Sequence, residues 1–278
     1  MSKIFLCSFA SEDLKRSKFR FLEQSKEMNI YENIRVFGFE DLNEDRKKQI
    51  ESFFKINQKR LFGYACWKAD IISYFMKQIP ENSILQYSDI GCHFNKDGLN
   101  RLNEYITLCE KNNLLTFQYK IPDFDNINNF KFQTYREYQY TKNDLFKYFD
   151  INDNSEIFNS EQIWSGTIFF KKNNFSKDII NEWSKISFEN NLIDDSESNS
   201  KNNKNFIEHR HDQSIFSIIC KKKKILSLSA SECEWAEDDK GRTWEHLKKF
   251  PILAKRDKKY NFFKRFLNRQ KKNLNKIF

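Results

Sequence analysis

Between Tyr64 and Asn95 the chain sets out a helix, a breaker, an apolar strand and a lone carboxylate, and this order constrains its fold more than any other stretch. Trp67 to Met76 carries apolar residues at helical spacing, Pro80 stops the helix, and Ile84-Leu-Gln-Tyr87 reads as a buried strand. The strand runs into Asp89, with Gly91 just beyond. A carboxylate at the carboxyl end of a buried strand lies where open α/β sheets bind ligands. Burying a lone carboxylate is costly unless a cation or hydrogen-bond donors meet it. The stretch therefore predicts a site as well as a sheet.

The rest of the chain repeats this alternation. Strands are expected at 3–9, 34–39, 115–119, 163–170 and 225–228. Helices are expected at 13–28, with Ser11 and Asp13 as caps, and at 44–58, 99–112, 175–188 and 212–220. Alternating strands and helices predict the α/β class, with a single mostly parallel sheet flanked by helices. Residues 121–159, rich in Asn, Asp, Phe and Tyr, read as an insertion with a short helix near 142–148. Residues 194–205 are polar and of low complexity, so mobility is expected there. The reading is one domain over 1–254 and a basic helical tail over 255–278.

Charge separates the two parts. The tail holds ten Lys/Arg and one acid, which leaves the body with 38 residues of each sign. A neutral body argues against a nucleic-acid-binding domain, which presents a basic face. In the tail, Phe263, Phe266, Leu267, Leu274 and Ile277 fall near one helical face among the lysines and arginines, a pattern that predicts docking on an anionic membrane surface. No apolar run is long enough to span a bilayer, and Lys3 to Phe9 reads as a strand and not a secretion leader. The six cysteines form no close Cys-x-x-Cys pair and read as reduced core thiols of a cytoplasmic protein.

Three further groups carry candidate chemistry. Trp164-Ser-Gly-Thr is a strand whose Gly166 either marks a bulge or opens room for a sugar ring, with Ser165 as donor. His209-Arg-His-Asp-Gln213 opens a helix; Asp212 caps it, and Arg210 offers a fork for phosphate or carboxylate. His246, in a run of charges and tryptophans, is a candidate metal ligand to complete a site at Asp89.

Taken in order, these segments resemble the GT-A-type glycosyltransferases, especially retaining families 8 and 32. Those families show Asp-x-x-Arg-Tyr on a helix, then Gly-x-x-Tyr-x-Asp-x-Asp; here Asp70, Tyr74 and Leu85-Gln-Tyr-Ser-Asp-Ile-Gly91 stand in the matching places. Their Asn-Ser-Gly-x-hydrophobic strand is matched by Ser165-Gly-Thr-Ile, and their Asp-Gln-x-hydrophobic helix start by Asp212-Gln-Ser-Ile. Two departures stand out: Gly91 replaces the second aspartate of the metal motif, and Ser73 replaces the arginine before Tyr74.

The resemblance implies a bacterial hexosyltransferase that builds capsule or lipopolysaccharide glycans, peripheral on the inner face of the cytoplasmic membrane. It implies a UDP-type nucleotide-sugar donor, a glycan or lipid-linked acceptor, and a Mn2+ or Mg2+ ion held by Asp89, with His246, His93 or the nucleotide phosphates completing the site. Asp89, Asp212 and Gln213 take the catalytic places. Ser8, Phe9, Ala10, Lys68, Asp70, Ser88, Ser165, Gly166 and Arg210 take the donor-binding places. The lost aspartate leaves a catalytically inactive relative as the competing reading.

Overall fold

The structure, a computed structural model, describes residues 2–123 and 129–255. The tail expectations, beyond Lys255, lie outside the described residues. The strands are β1 (Ile4–Phe9), β2 (Asn33–Phe37), β3 (Ile84–Ser88), β4 (Cys92–Phe94), β5 (Leu114–Gln118), β6 (Ile163–Lys171), β7 (Ser227–Ser229), β8 (Ala236–Asp238), β9 (Gly241–Thr243) and β10 (Ile252–Ala254). The principal helices are α1 (Lys15–Glu27), α2 (Glu44–Lys55), α3 (Lys68–Gln78), α4 (Leu99–Asn112), α5 (Asn143–Tyr148), α6 (Asn174–Ile186) and α7 (Asp212–Lys222).

Six strands form the main sheet in the order β2-β1-β3-β6-β5-β7. Only β6 runs antiparallel to its neighbours, so the fold is the expected α/β class with a mostly parallel sheet. The inner strands β1, β3, β5 and β6 are buried almost throughout because both faces are covered, and successive side chains feed opposite cores. Phe5, Cys7 and Phe9 join the core beneath α3, α6 and α7, whereas Ile4 and Leu6 join the one beneath α1 and α4.

Local chemistry fixes the helix ends. Asn43 caps α2 by accepting from the Arg46 amide at 2.8 Å, and Asn173 caps α6 through the Ser176 amide at 3.0 Å. Helix α4 buries Leu102, Tyr105, Ile106 and Cys109, the stripe its spacing predicts, and stops at Asn113 in the left-handed region. All six cysteines are buried. No described helix is long and apolar enough to cross a membrane.

Two features depart from expectation. The 194–205 stretch is tied down: the Asp144 carboxylate accepts from the Asn199 and Ser200 amides at 2.8 and 2.9 Å, and the Lys142 ammonium donates to the Ser196 carbonyl at 3.0 Å. Its polar side chains and backbone are spent on partners elsewhere in the chain, which composition does not reveal. Short β4 pairs with β10 near the carboxyl end of the body, a match too brief for any sequence period to announce.

Candidate active site

The strand order reverses beside β1, because the chain passes from β2 on one side to β3 on the other. In open α/β sheets such a switch point leaves a crevice at the carboxyl ends of the strands. Here the ends of β1 and β3, the start of antiparallel β6, and the first turns of α3 and α7 border a cleft of about 850 Å³.

Lys68 forms the centre of this cleft. Its ammonium lies 2.7 Å from Asp212 Oδ2 and 3.3 Å from Asp89 Oδ1. It also donates to the Ser165 hydroxyl at 3.1 Å and to the Ser165 carbonyl at 3.2 Å. Ser165 in turn donates to Asp212 Oδ2 at 2.9 Å. Tyr87, two residues before Asp89 and thus on the same side of the strand, donates its hydroxyl to Asp89 Oδ1 at 2.7 Å. The Asp89 amide is fixed on the Gly166 carbonyl at 2.8 Å. Lys68 and Asp212 are sealed, with side chains 5% and 4% exposed, while Asp89 is 40% exposed to the cleft.

These positions set the charges. Burial works against the Lys68 ammonium, but Asp212 and then Asp89 outweigh it, and its pKa ends above the ordinary lysine value. Burial raises the Asp212 carboxyl, which Lys68 and Ser165 only partly offset. Tyr87 is held far above the phenol range by burial and then by Asp89, so it stays a neutral donor.

Arg210 is a second cation on the cleft wall. Its guanidinium carbon sits 3.9 Å from the Tyr135 ring centre and 4.1 Å from that of Tyr140. Its nearest carboxylate oxygen, on Glu208, is 3.7 Å away. The guanidinium makes no hydrogen bond to the described residues, so its planar donor edge is unspent.

An aromatic wall closes the side near β1. Phe9 stacks on Trp67 with ring centres 3.9 Å apart, and Phe62 leans on Phe9 at 5.5 Å. Phe62 belongs to a left-handed turn, Leu61 to Ala65, in which all five residues have positive φ. His211, also at positive φ, places its ring 4.5 Å from that of Tyr64.

Of the residues picked from sequence, Phe9, Lys68, Asp89, Ser165, Arg210, Asp212 and Gln213 line this one cleft. The Gln213 amide is turned inward: it donates to Gln162 Oε1 at 2.6 Å, and its oxygen faces the Ser165 amide at 3.5 Å. Others are placed elsewhere. Asp70 points away from the cleft into an ion pair with Arg46 at 2.6 Å. Ser8 is fully buried in β1 and Ala10 is buried at its end, and neither lines the cleft. Ser88 is buried between Gln86 and Thr167. Gly166 makes room for the Trp164 indole, since a Cβ there would lie 2.2 Å from that ring; it opens no space for a sugar. Sequence reasoning missed Tyr87, although its period-two spacing from Asp89 was visible, and it missed Tyr135 and Tyr140, whose contact with Arg210 is long-range.

The residues present do not fit the implied divalent cation. His246 does not line the cleft with Asp89, and its Nε2 lies 3.0 and 3.1 Å from the Ser231 and Glu234 carbonyls; His93 does not line the cleft either. Gly91 offers no ligand, and the Lys68 ammonium, itself a cation, faces Asp89. Among the described residues no group of three or more His, Cys, Asp or Glu is placed to hold a metal ion.

No protein-family profile matches the sequence, and no curated protein matches it. Solved structures give partial overlaps. A glycosyltransferase involved in glycosylation of the major capsid of PBCV-1 is 12% identical over 66% of this chain and 67% of its own, with a TM-score of 0.36. Apo mouse xyloside xylosyltransferase 1 is 9% identical over 84% and 86%, with a TM-score of 0.42. Mannose-6-phosphate isomerase from Helicobacter pylori is 14% identical over 67% and 80%, with a TM-score of 0.34. No assignment rests on overlaps this partial.

Proposed function

We propose that this chain is a GT-A-type glycosyltransferase, which moves a hexose from a nucleotide sugar, UDP-type favoured, to a glycan or lipid-linked acceptor with retention at the anomeric carbon. The observation that carries the reading is the Lys68–Asp89–Asp212–Ser165 cluster at the carboxyl edge of the sheet, in a cleft of about 850 Å³. That volume suits a nucleotide sugar. The acceptor side and the setting in bacterial surface polysaccharide synthesis come from the motif resemblance alone.

In this reading the Phe9–Trp67–Phe62 wall offers stacking area to the base. Arg210 presents a planar fork to the diphosphate. Asp89, the exposed carboxylate, accepts from donor-sugar hydroxyls or turns its charge to the reacting carbon. Asp212 holds Lys68 and Ser165 in place. No side-chain nucleophile is assigned. Fixed charges aimed at a leaving group need no reorganisation during the reaction, and removing one such group costs about 3–4 kcal/mol of barrier.

A catalytically inactive binding protein is the second reading, favoured by Gly91 in place of the metal-motif aspartate. Isothermal titration with UDP-sugars followed by a turnover assay separates the two. Binding with turnover supports the enzyme; binding without turnover or donor hydrolysis supports the inactive relative. Absence of binding by any nucleotide sugar rejects both.

A further inference from the structure

We propose that fixed cations, Lys68 and Arg210, serve in this cleft in place of a divalent metal, so that a nucleoside diphosphate is bound and its leaving charge neutralised by protein groups alone. The inference rests on the nucleotide-sugar reading and deepens it.

Three observations carry it. First, the Lys68 ammonium lies against both carboxylates at the strand and helix ends, 2.7 Å from Asp212 and 3.3 Å from Asp89. A divalent ion bound at Asp89 would sit beside this ammonium and be repelled by it. Second, the histidines offered by the sequence as further ligands, His246 and His93, do not line the cleft that holds Asp89. Third, Arg210 keeps a guanidinium without hydrogen bonds to the described residues, fixed in position by Tyr135 and Tyr140. An arginine fixed by rings and left with open donors is built to take an oxyanion.

The two cations divide the work. Arg210 gives directional donors from the wall, and Lys68 gives charge at the floor. The contact from Lys68 to Asp89 is the longest of its charged and hydroxyl contacts, and Asp89 is the exposed partner. A phosphate oxygen entering from the cleft replaces that contact and leaves the Asp212 and Ser165 contacts intact. The lysine then needs no shift from its present place.

The test uses full-length protein, Mn2+ alone and UDP as probes. Titrated with Mn2+ alone, the wild type is expected to show no saturable binding in the millimolar range. UDP is expected to bind with the same Kd in EDTA and in excess Mn2+. Arg210→Met is expected to weaken UDP about 10- to 150-fold in both buffers, the loss of one charge-assisted contact set. Lys68→Met is expected to weaken UDP similarly and to gain saturable Mn2+ binding, because it frees two carboxylates. Lys68→Met risks misfolding, so the wild-type comparison and Arg210→Met decide the matter without it. UDP binding that requires Mn2+, saturable Mn2+ binding by the wild type, or unaltered UDP affinity in Arg210→Met overturns the proposal and leaves the glycosyltransferase reading standing. UDP that binds in neither buffer, while another nucleoside diphosphate does, moves the same comparison to that nucleotide. Binding by no nucleotide at all removes the underlying reading as well.

Discussion

Two buried ion pairs start from neighbouring positions in the first turn of α3, and they are built on opposite plans. Asp70 meets Arg46 at 2.6 and 3.3 Å. Arg46 also donates to Gln49 at 2.5 Å, to the Ser187 carbonyl at 3.0 Å and to the Ser184 carbonyl at 3.1 Å, and it lies on the Phe188 ring. One charge meets one charge and the remaining donors are satisfied. Lys68, by contrast, has two carboxylates for one ammonium, and one of them faces open space. A closed, balanced cluster joins α2, α3 and α6. An unbalanced cluster at a cleft is poised for a ligand. Charged residues on one helix turn thus form a closed pair on one face and line an open cleft on the other.

Breaking the closed cluster should give the largest effect. Arg46→Met leaves Asp70 without its counter-charge and should cost about 3–5 kcal/mol in urea unfolding, with UDP affinity of the folded fraction unchanged. A weakened UDP affinity at near-native stability would erase the distinction between the clusters.

Acid probes the seam between the faces, where His209 and His211 flank Arg210. Burial, and then the neighbouring His211, hold His209 well below the ordinary imidazole range; burial takes His211 down to about 3. Both are neutral when folded and take up protons on unfolding as pH drops below about 6.5, so stability is full above that value and falls below it. Between pH 7 and 5 the pair should cost about 4 kcal/mol, read from urea midpoints. Equal midpoints at the two pH values would show that these rings gain protons while folded.

Opening the unbalanced cluster should act on chemistry instead. Asp89→Ala should cut kcat/KM for transfer about 10²–10³-fold while changing stability by about 1 kcal/mol or less, since the carboxylate is partly exposed. Wild-type turnover in that variant would remove Asp89 from the mechanism. The smallest effect is expected from Gln213→Ala. Its amide positions Ser165, so kcat should drop about fivefold, the loss of about 1 kcal/mol from one neutral hydrogen bond, with UDP affinity held. A change confined to UDP affinity would place Gln213 on the nucleotide.

The contrast also explains what could be read from the chain. Periodicity gave α4 and the six strands of the main sheet because each buries a regular stripe or run, and strand ends brought Asp89 and Ser165 to one edge with Lys68 and Asp212. The direction of Asp70 was not legible. Residues two apart on a helix point to different faces, and its partner Arg46 is on another helix. Of the two readings of Gly166, the bulge agrees with the register shift between β5 and β6, whereas the space beside it is filled by the ring of Trp164 on its own strand, a packing matter that no spacing rule contains. The anchoring of 194–205 by Asp144 and the box around Arg210 depend on contacts between distant segments, which leave no local trace.

The left-handed turn at Leu61–Ala65 has a consequence in time. Its conformation costs L-residues about 1–2 kcal/mol each, Gly63 excepted, so no local preference can start it. Its backbone closes on itself, the Tyr64 amide on the Arg60 carbonyl at 2.8 Å and the Ala65 amide on the Leu61 carbonyl at 3.2 Å, and it is braced by the Trp67 indole on the Phe62 carbonyl at 3.1 Å and by Phe53 and His211 against Tyr64. Phe53 and His211 come from distant segments, so the turn is expected to close late in folding, after the transition state. Relieving its strain with Ala65→Gly should therefore slow unfolding and leave the folding rate nearly unchanged. In that case one wall of the cleft is completed only when the rest of the molecule is already in place, and an unchanged unfolding rate in Ala65→Gly would refute it.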